Sequence, residues 1–117
     1  MSPPRLRFAP SPNGRLHLGH AYSALLNAEM ARALHGTLLL RIEDIDPQRC
    51  RPELTEAILA DLAWLGLGFP EPVWRQSARM STYRAALEAL RARGLVYPCT
   101  CTRREIQAAA GSRRDPD

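Results

Sequence analysis

Arg7-Phe8-Ala9-Pro10-Ser11-Pro12-Asn13-Gly14-Arg15-Leu16-His17-Leu18-Gly19-His20 is the stretch whose reading decides the fold. Just before and into it, Arg5 to Phe8 alternates polar and apolar residues, which predicts a short first strand. Pro10 and Pro12 then fix φ twice and remove two backbone donors. A central strand cannot continue through them, so a shaped loop follows. Gly14 and Gly19 allow backbone conformations or close approaches that a Cβ would block. From His20 to Leu34 the chain reads as a helix, rich in Ala and Leu and apolar on most faces, with Gly36 as its C′ stop.

His17 and His20 therefore fall near a helix N-terminus, where unpaired N–H groups and the helix dipole favour an anion. Two imidazoles there can donate hydrogen bonds to a phosphate whose charge grows in a transition state. The competing structural reading is that they only cap and pack.

Thr37-Leu38-Leu39-Leu40-Arg41-Ile42 is a short, nearly continuous apolar run between helical patterns, which predicts a buried parallel strand. Glu43-Asp44-Ile45-Asp46-Pro47 follows at its end. In open α/β sheets ligands bind beyond the carboxyl ends of strands. Three acids there can bind a substrate ammonium, hold Mg²⁺ or pair with nearby arginines; a solvated turn with local caps is the plainer alternative.

Farther on, Leu54, Ile58, Leu62 and Leu65 recur at helical spacing as one core-facing stripe, with Pro52 in the first turn and Gly66 as the stop. Val73-Trp74-Arg75 reads as a short strand, and Met80, Tyr83, Leu87 and Leu90 mark a helix that ends before Gly94. Trp64 and Trp74 are expected in the core rather than as base-stacking platforms. Thr102 and Glu105 form a capping-box pattern that opens a last short helix. Cys99 and Cys101 could supply two sulfurs to one metal, or remain free thiols, since structural zinc takes four ligands. Cys50 reads as a half-buried small residue. The tail from Ala108 to Asp117 turns small and polar and is expected to be mobile.

The 117 residues make one domain or less. No apolar run reaches membrane-spanning length and no signal-peptide core opens the chain, so a cytoplasmic protein is expected. Three cysteines do not make a disulfide framework. The net charge is +4, carried entirely by arginine, since no lysine is present. That bias is compatible with an RNA partner and equally with a solvated surface.

The loop string resembles the His-Ile-Gly-His signature region of class I aminoacyl-tRNA synthetases, with Leu18 in place of the common Ile. It is most similar to the glutamyl branch, whose loop reads nearly Arg-Phe-Ala-Pro-Ser-Pro-Thr-Gly, with Asn13 here for the Thr. Arg41-Ile42-Glu43-Asp44-Ile45-Asp46 resembles that branch's Arg-Ile-Glu-Asp-Thr-Asp element. Ile45 followed by Asp46-Pro47 is similar to the shorter glutamyl-Q tRNA(Asp) synthetases, as is Tyr97-Pro98-Cys99-Thr100-Cys101-Thr102-Arg103, which resembles their zinc-binding insertion.

The resemblance implies an α/β fold: the N-terminal half of a Rossmann-type class I synthetase catalytic domain over residues 1–95, then the start of a zinc-binding insertion over 96–117. It implies that Arg7, Ala9, Ser11 and Glu43 contact L-glutamate, with Glu43 receiving the α-ammonium, and that Pro10, Gly14, His17, Gly19 and His20 hold ATP with its Mg²⁺. His17 and His20 would be the catalytic pair, and Cys99 and Cys101 the first two zinc ligands, the others being typically a Tyr and a Cys farther downstream. Asp44 and Asp46 are expected to orient the loop. A family member activates glutamate as the adenylate and transfers it to the queuosine base of tRNA(Asp); the full-length members are expected to be monomers. The second signature of class I enzymes, a lysine-bearing loop in their C-terminal half, has no counterpart here, so the resemblance covers the front portion of a family member. Rival readings are the corresponding portion of a conventional glutamyl-tRNA synthetase, a non-catalytic module that binds nucleotide, zinc or RNA, and a product without function.

Overall fold

The structure is a computed structural model that describes residues 2–111. Strand β1 (Arg5–Phe8) leads through the proline loop to helix α1 (Leu18–Ala33), strand β2 (Thr37–Ile42), helix α2 (Pro52–Trp64) and strand β3 (Trp74–Arg75). A single 3₁₀ turn (Ser77–Arg79) precedes helix α3 (Met80–Ala92), and α4 (Arg103–Gly111) closes the described chain. The chain divides into two compact units, Met1–Ser81 and Thr82–Asp117.

In the first unit the three strands are all parallel, in the order β1-β2-β3. Leu6 stands opposite Leu38 and Phe8 opposite Leu40, while β3 meets only the end of β2, Arg41 against Trp74. Parallel neighbours need crossover connections, which α1 and α2 provide. The period-two alternation of β2 buries Leu38, Leu40 and Ile42 with Phe8, and α2 adds Ile58 and Leu62 to the same cluster. Ile42, Ile58 and Leu62 are essentially water-free, and each such side chain contributes about 2 kcal/mol. Of the α2 stripe expected from sequence, Ile58 and Leu62 enter the core, while Leu54 and Leu65 at its two ends stay half-buried outside it.

Helix α1 turns its small residues inward: Ala24 and Ala31 are buried and Ala28 packs on the core. Its ends differ from the sequence reading. It starts two residues earlier than His20, because His17 itself serves as N-cap. At the other end His35, not Gly36, occupies the left-handed C′ position, at φ 49°. The Gly36 N–H reaches the Ala31 carbonyl at 2.8 Å and the His35 N–H the Arg32 carbonyl at 3.2 Å, a Schellman pattern. Gly36 is needed for another reason: a Cβ there would stand 2.4 Å from the Pro4 carbonyl oxygen. Helices α2 and α3 end in the same pattern with Gly66 and Gly94 at the left-handed position, φ 74° and 67°.

Trp64 corrects the sequence reading. It is 85% exposed, because it sits at the last turn of α2 with its side chain outside the stripe of Ile58 and Leu62. Trp74 is also largely outside the core, with the Arg79 guanidinium 4.3 Å over its ring. In the second unit the capping box that opens α4 forms as expected: Thr102 donates through N–H and Oγ to the Glu105 carboxylate, at 2.6 and 2.7 Å. Residues Ala108 to Gly111, expected as part of a mobile tail, complete this helix; the rest of that tail lies outside the described residues. No described helix is long and apolar enough to cross a membrane.

Candidate functional site

The exits of β1 and β2 are stitched together by the proline loop. The Glu43 N–H donates to the Pro10 carbonyl at 3.0 Å, and the Arg51 N–H to the Pro12 carbonyl at 3.2 Å. Both prolines are buried. They have no N–H to leave unsatisfied, and each carbonyl finds a donor, so the loop can pass under cover without an orphaned backbone group. This fixes Ser11, Asn13 and Glu43 around one cavity of about 230 Å³, which Asp46, Cys50 and Gln76 complete.

The three acids beyond β2 have three different partners. The Arg41 guanidinium pairs with the Glu43 carboxylate, the two side chains being 23% and 30% exposed. Asp44 accepts from the Ser77 N–H at 2.9 Å and the Ser77 hydroxyl at 2.7 Å, tying the β2 exit to the 3₁₀ turn. Burial pushes the Asp44 carboxyl up, but the Ser77 bonds, with the Arg75 charge nearby, outweigh it and hold the group below the usual carboxylate range. Asp46 accepts from the Gln48 and Arg49 N–H groups at 3.1 and 3.3 Å and pairs with the Arg49 side chain at 2.7 Å. Asp44 and Asp46 thus orient the loop. Among the described residues no three His, Cys, Asp or Glu side chains gather as a metal site.

At the start of α1 the two histidines build a reciprocal cap. The Gly19 N–H donates to His17 Nδ1 and the His17 N–H donates to His20 Nδ1, each at 3.2 Å. The ring centroids lie 3.9 Å apart. A nitrogen that accepts carries no proton, so both neutral rings hold theirs on Nε2. Burial, followed by the neighbouring His17, lowers the His20 pKa from 6.5, which favours that neutral form. The cap therefore consumes both Nδ1 atoms and leaves two Nε2–H donors at a helix N-terminus. Gly19 lies under the His17 ring: a Cβ there would come within 3.1 Å of Cε1. Gly14 has open space around it and no positive φ, so the protein itself makes no use of its freedom.

Of the residues singled out from sequence, Ser11 and Glu43 share the cavity, and His17 and His20 share the helix end. Arg7 is exposed on β1 opposite Leu39, and Ala9 is half-buried after it; neither lines the cavity. Cys99 and Cys101 are exposed, and Cys50 is half-buried with its thiol 3.7 Å from the Glu43 carbonyl oxygen. Sequence reasoning missed Asn13 and Gln76 as cavity walls, and it offered pairing of the acids with nearby arginines without naming Arg41 as the partner of Glu43. The signal for Arg41 was present: residues two apart in extended chain share a face, and Glu43 directly follows the strand. His17 also borders a second groove of about 400 Å³, with Arg15, Leu18, Asp61 and Trp64.

A family model described as tRNA synthetases class I (E and Q), catalytic domain, matches residues 4–116. The chain is 58% identical over 106 residues to a glutamyl-Q tRNA(Asp) synthetase of Rhodobacter capsulatus, covering 91% of this chain and 38% of that protein. It is 53% identical over 104 residues to a glutamate–tRNA ligase 2 of Acidiphilium cryptum, covering 89% of this chain and 23% of the relative. A crystal structure of a glutamate tRNA ligase from Elizabethkingia meningosepticum, in complex with its amino acid, superposes with a TM-score of 0.75 at 34% identity. That match covers 95% of this chain and 24% of the other. The α/β fold is thus Rossmann-like, as in these catalytic domains, and the chain spans well under half the length of the relatives it matches.

Proposed function

The chain belongs to the class I tRNA synthetases of the E and Q type, and on that premise we propose that the polypeptide carrying it activates L-glutamate with ATP and transfers the glutamyl group to the queuosine base of tRNA(Asp). The observation that carries the reading is the pairing of two features at one end of the sheet: a cavity bounded by Ser11 and Glu43, and a histidine cap with two donors to spare.

In this reading Glu43 receives the α-ammonium, and Arg7, Ala9 and Ser11 complete the hold on glutamate. Arg7 suits a carboxylate because a guanidinium can bond both of its oxygens. A glutamate carboxylate oxygen attacks the α-phosphorus of ATP, and pyrophosphate leaves. Charge growing on the phosphate oxygens meets the Nε2–H groups of His17 and His20 at the positive end of α1. Pro10, Gly14 and Gly19 shape the path of the phosphates. A hydroxyl of the acceptor then attacks the acyl carbonyl, its proton passing to the departing phosphate oxygen, and AMP leaves. In-line attack with charge stabilisation requires no protein general base. Mg²⁺ enters as part of the ATP substrate.

Zinc is treated separately. Cys99 and Cys101 supply two thiols, half of a tetrahedral set. The described residues do not build a zinc site alone, and no step above runs through one. Residues 1–95 form the front of the catalytic domain in this reading, and 96–117 begin an insertion. The place of action is the cytoplasm, and the full-length enzyme is a monomer.

Support for queuosine as acceptor comes from the Rhodobacter relative and from Ile45-Asp46-Pro47; the Acidiphilium relative favours a conventional glutamate–tRNA ligase instead. Incubation with [¹⁴C]glutamate, ATP and purified tRNAs separates the two. Labelling of tRNA(Asp) only when it carries queuosine, with the label recovered in the anticodon fragment after nuclease digestion, supports the proposal. Labelling of tRNA(Glu) at its 3′ end overturns it in favour of the conventional ligase.

A further inference from the structure

We infer that Arg41 is a positioning residue for amino-acid recognition, acting through Glu43; this rests on the reading of Glu43 as the ammonium acceptor. Arg41 is the penultimate residue of β2 and Glu43 follows directly after its end, so the two lie two residues apart in extended chain and their side chains meet. Theirs is the most enclosed ion pair among the described residues, 23% and 30% exposed, against partners of 35% to 75% elsewhere.

The pair is costly to keep. The Arg41 Nε atom is buried without a hydrogen-bond partner, the only side-chain atom so placed among the described residues. An enclosed pair with an orphaned donor is weak support for a fold. It does, however, fix one carboxylate. The Glu43 backbone is set by its bond to Pro10, and one carboxylate oxygen, Oε1, is taken by Arg41. The other, Oε2, has no partner among the described residues, and Glu43 lines the 230 Å³ cavity. A carboxylate held at one oxygen presents the second at a defined place, which is what recognition of an ammonium needs.

Charge gives the second reason. Glutamate brings two carboxylates and one ammonium, so its net charge is negative. An unpaired Glu43 would repel it. Asp46 is already answered by Arg49 and Asp44 by Ser77, with Arg75 nearby. Arg41 completes this balance, leaving Glu43 with directional acceptor capacity and little net field.

The test is glutamate-dependent ATP–pyrophosphate exchange by the polypeptide as it is made in the cell, with Arg41→Met, Arg41→Lys, Glu43→Gln and the Arg41→Met/Glu43→Gln double variant. Arg41→Met is expected to raise KM for glutamate roughly tenfold to a hundredfold, the range of a charge-assisted hydrogen bond, with KM for ATP within about twofold. Arg41→Lys restores part of the loss, since it returns the charge but not the fork. In the Glu43→Gln background the Arg41→Met change should add little, because its route is already cut. The inference is overturned if Arg41→Met leaves KM for glutamate unchanged, if it raises both KM values together, or if the two losses simply add. If Arg41→Met does not fold, Arg41→Lys carries the same comparison. Absence of exchange in the unaltered protein overturns the proposed function, and with it the basis of this inference; exchange with indifferent Arg41 variants overturns this inference alone.

Discussion

Replacing His17 by Asn separates the two tasks that the histidine cap combines. His17 Nδ1 accepts the Gly19 N–H at 3.2 Å and so satisfies one of the orphan donors of α1. An Asn side-chain oxygen makes the same bond and is among the best N-caps, but it brings no donor equivalent to Nε2–H. His17→Ala, which loses the cap, should cost about 1 kcal/mol. For a domain of this size that lowers Tm by roughly 4 °C, whereas His17→Asn stays within about 1 °C. Activity should order differently. Both variants lose one preorganised donor to the phosphate, and removing such a donor costs roughly a hundredfold or more in kcat. Thermal unfolding followed by circular dichroism and pyrophosphate exchange read the two tasks separately. Exchange by His17→Asn at the unaltered rate would refute the donor role. A His17→Asn protein as unstable as His17→Ala would refute the cap.

Three further outcomes follow from the same geometry. The His20 pKa is lowered in the folded state, by burial and then by His17, so the stability tied to neutral His20 is complete above about pH 6.5 and is lost as pH falls through the lower folded value; urea midpoints at pH 7.5 and 5 should fall more for the unaltered chain than for His20→Gln, and equal falls would contradict this. Asp44→Asn should loosen the 3₁₀ turn at Ser77 at a cost of about 1 kcal/mol, read as faster proteolysis near Ser77 and Ala78; because the folded Asp44 carboxyl lies low, the same loosening should appear in the unaltered chain only as pH falls below the ordinary carboxylate range. His35→Gly should raise stability by about 1 kcal/mol by relieving the left-handed conformation at φ 49°, while Gly66→Ala, at φ 74°, should lower it by a similar amount; both are read from chemical denaturation midpoints.

The sequence made the strands, the crossovers and the anion-favouring helix start legible because each rests on local chemistry. Two prolines break a strand wherever they stand, and an apolar run between helical patterns has few places to go but a parallel sheet. Sequence pattern places the N-terminus of α1 two residues late because histidine is not a usual cap. Its acceptor atom shows only when the ring of His20 is seen returning the bond. The C-terminus is hidden for a related reason: Gly36 is fixed by the approach of Pro4, a contact between residues distant in sequence, while His35 bears the strain that glycine usually avoids. Residue type alone points Trp64 to the core, and the phase of α2 puts it outside the stripe of Ile58 and Leu62. In the site, Ser11, Glu43, His17 and His20 were legible through a loop and a strand end that resemble a family. Asn13, Gln76 and the Arg41 pair were not singled out, because a cavity wall is made by tertiary placement and no local pattern marks it.

The central claim is that this site activates glutamate at the expense of ATP, and the most direct measurement is incorporation of [³²P]pyrophosphate into ATP by the polypeptide as the cell makes it. The account predicts incorporation that depends on L-glutamate, saturates with it, is not supported by glutamine or aspartate, needs much more glutamate to saturate in Glu43→Gln, and collapses in His20→Ala. Incorporation independent of added glutamate, or none at all in a folded protein, would contradict it.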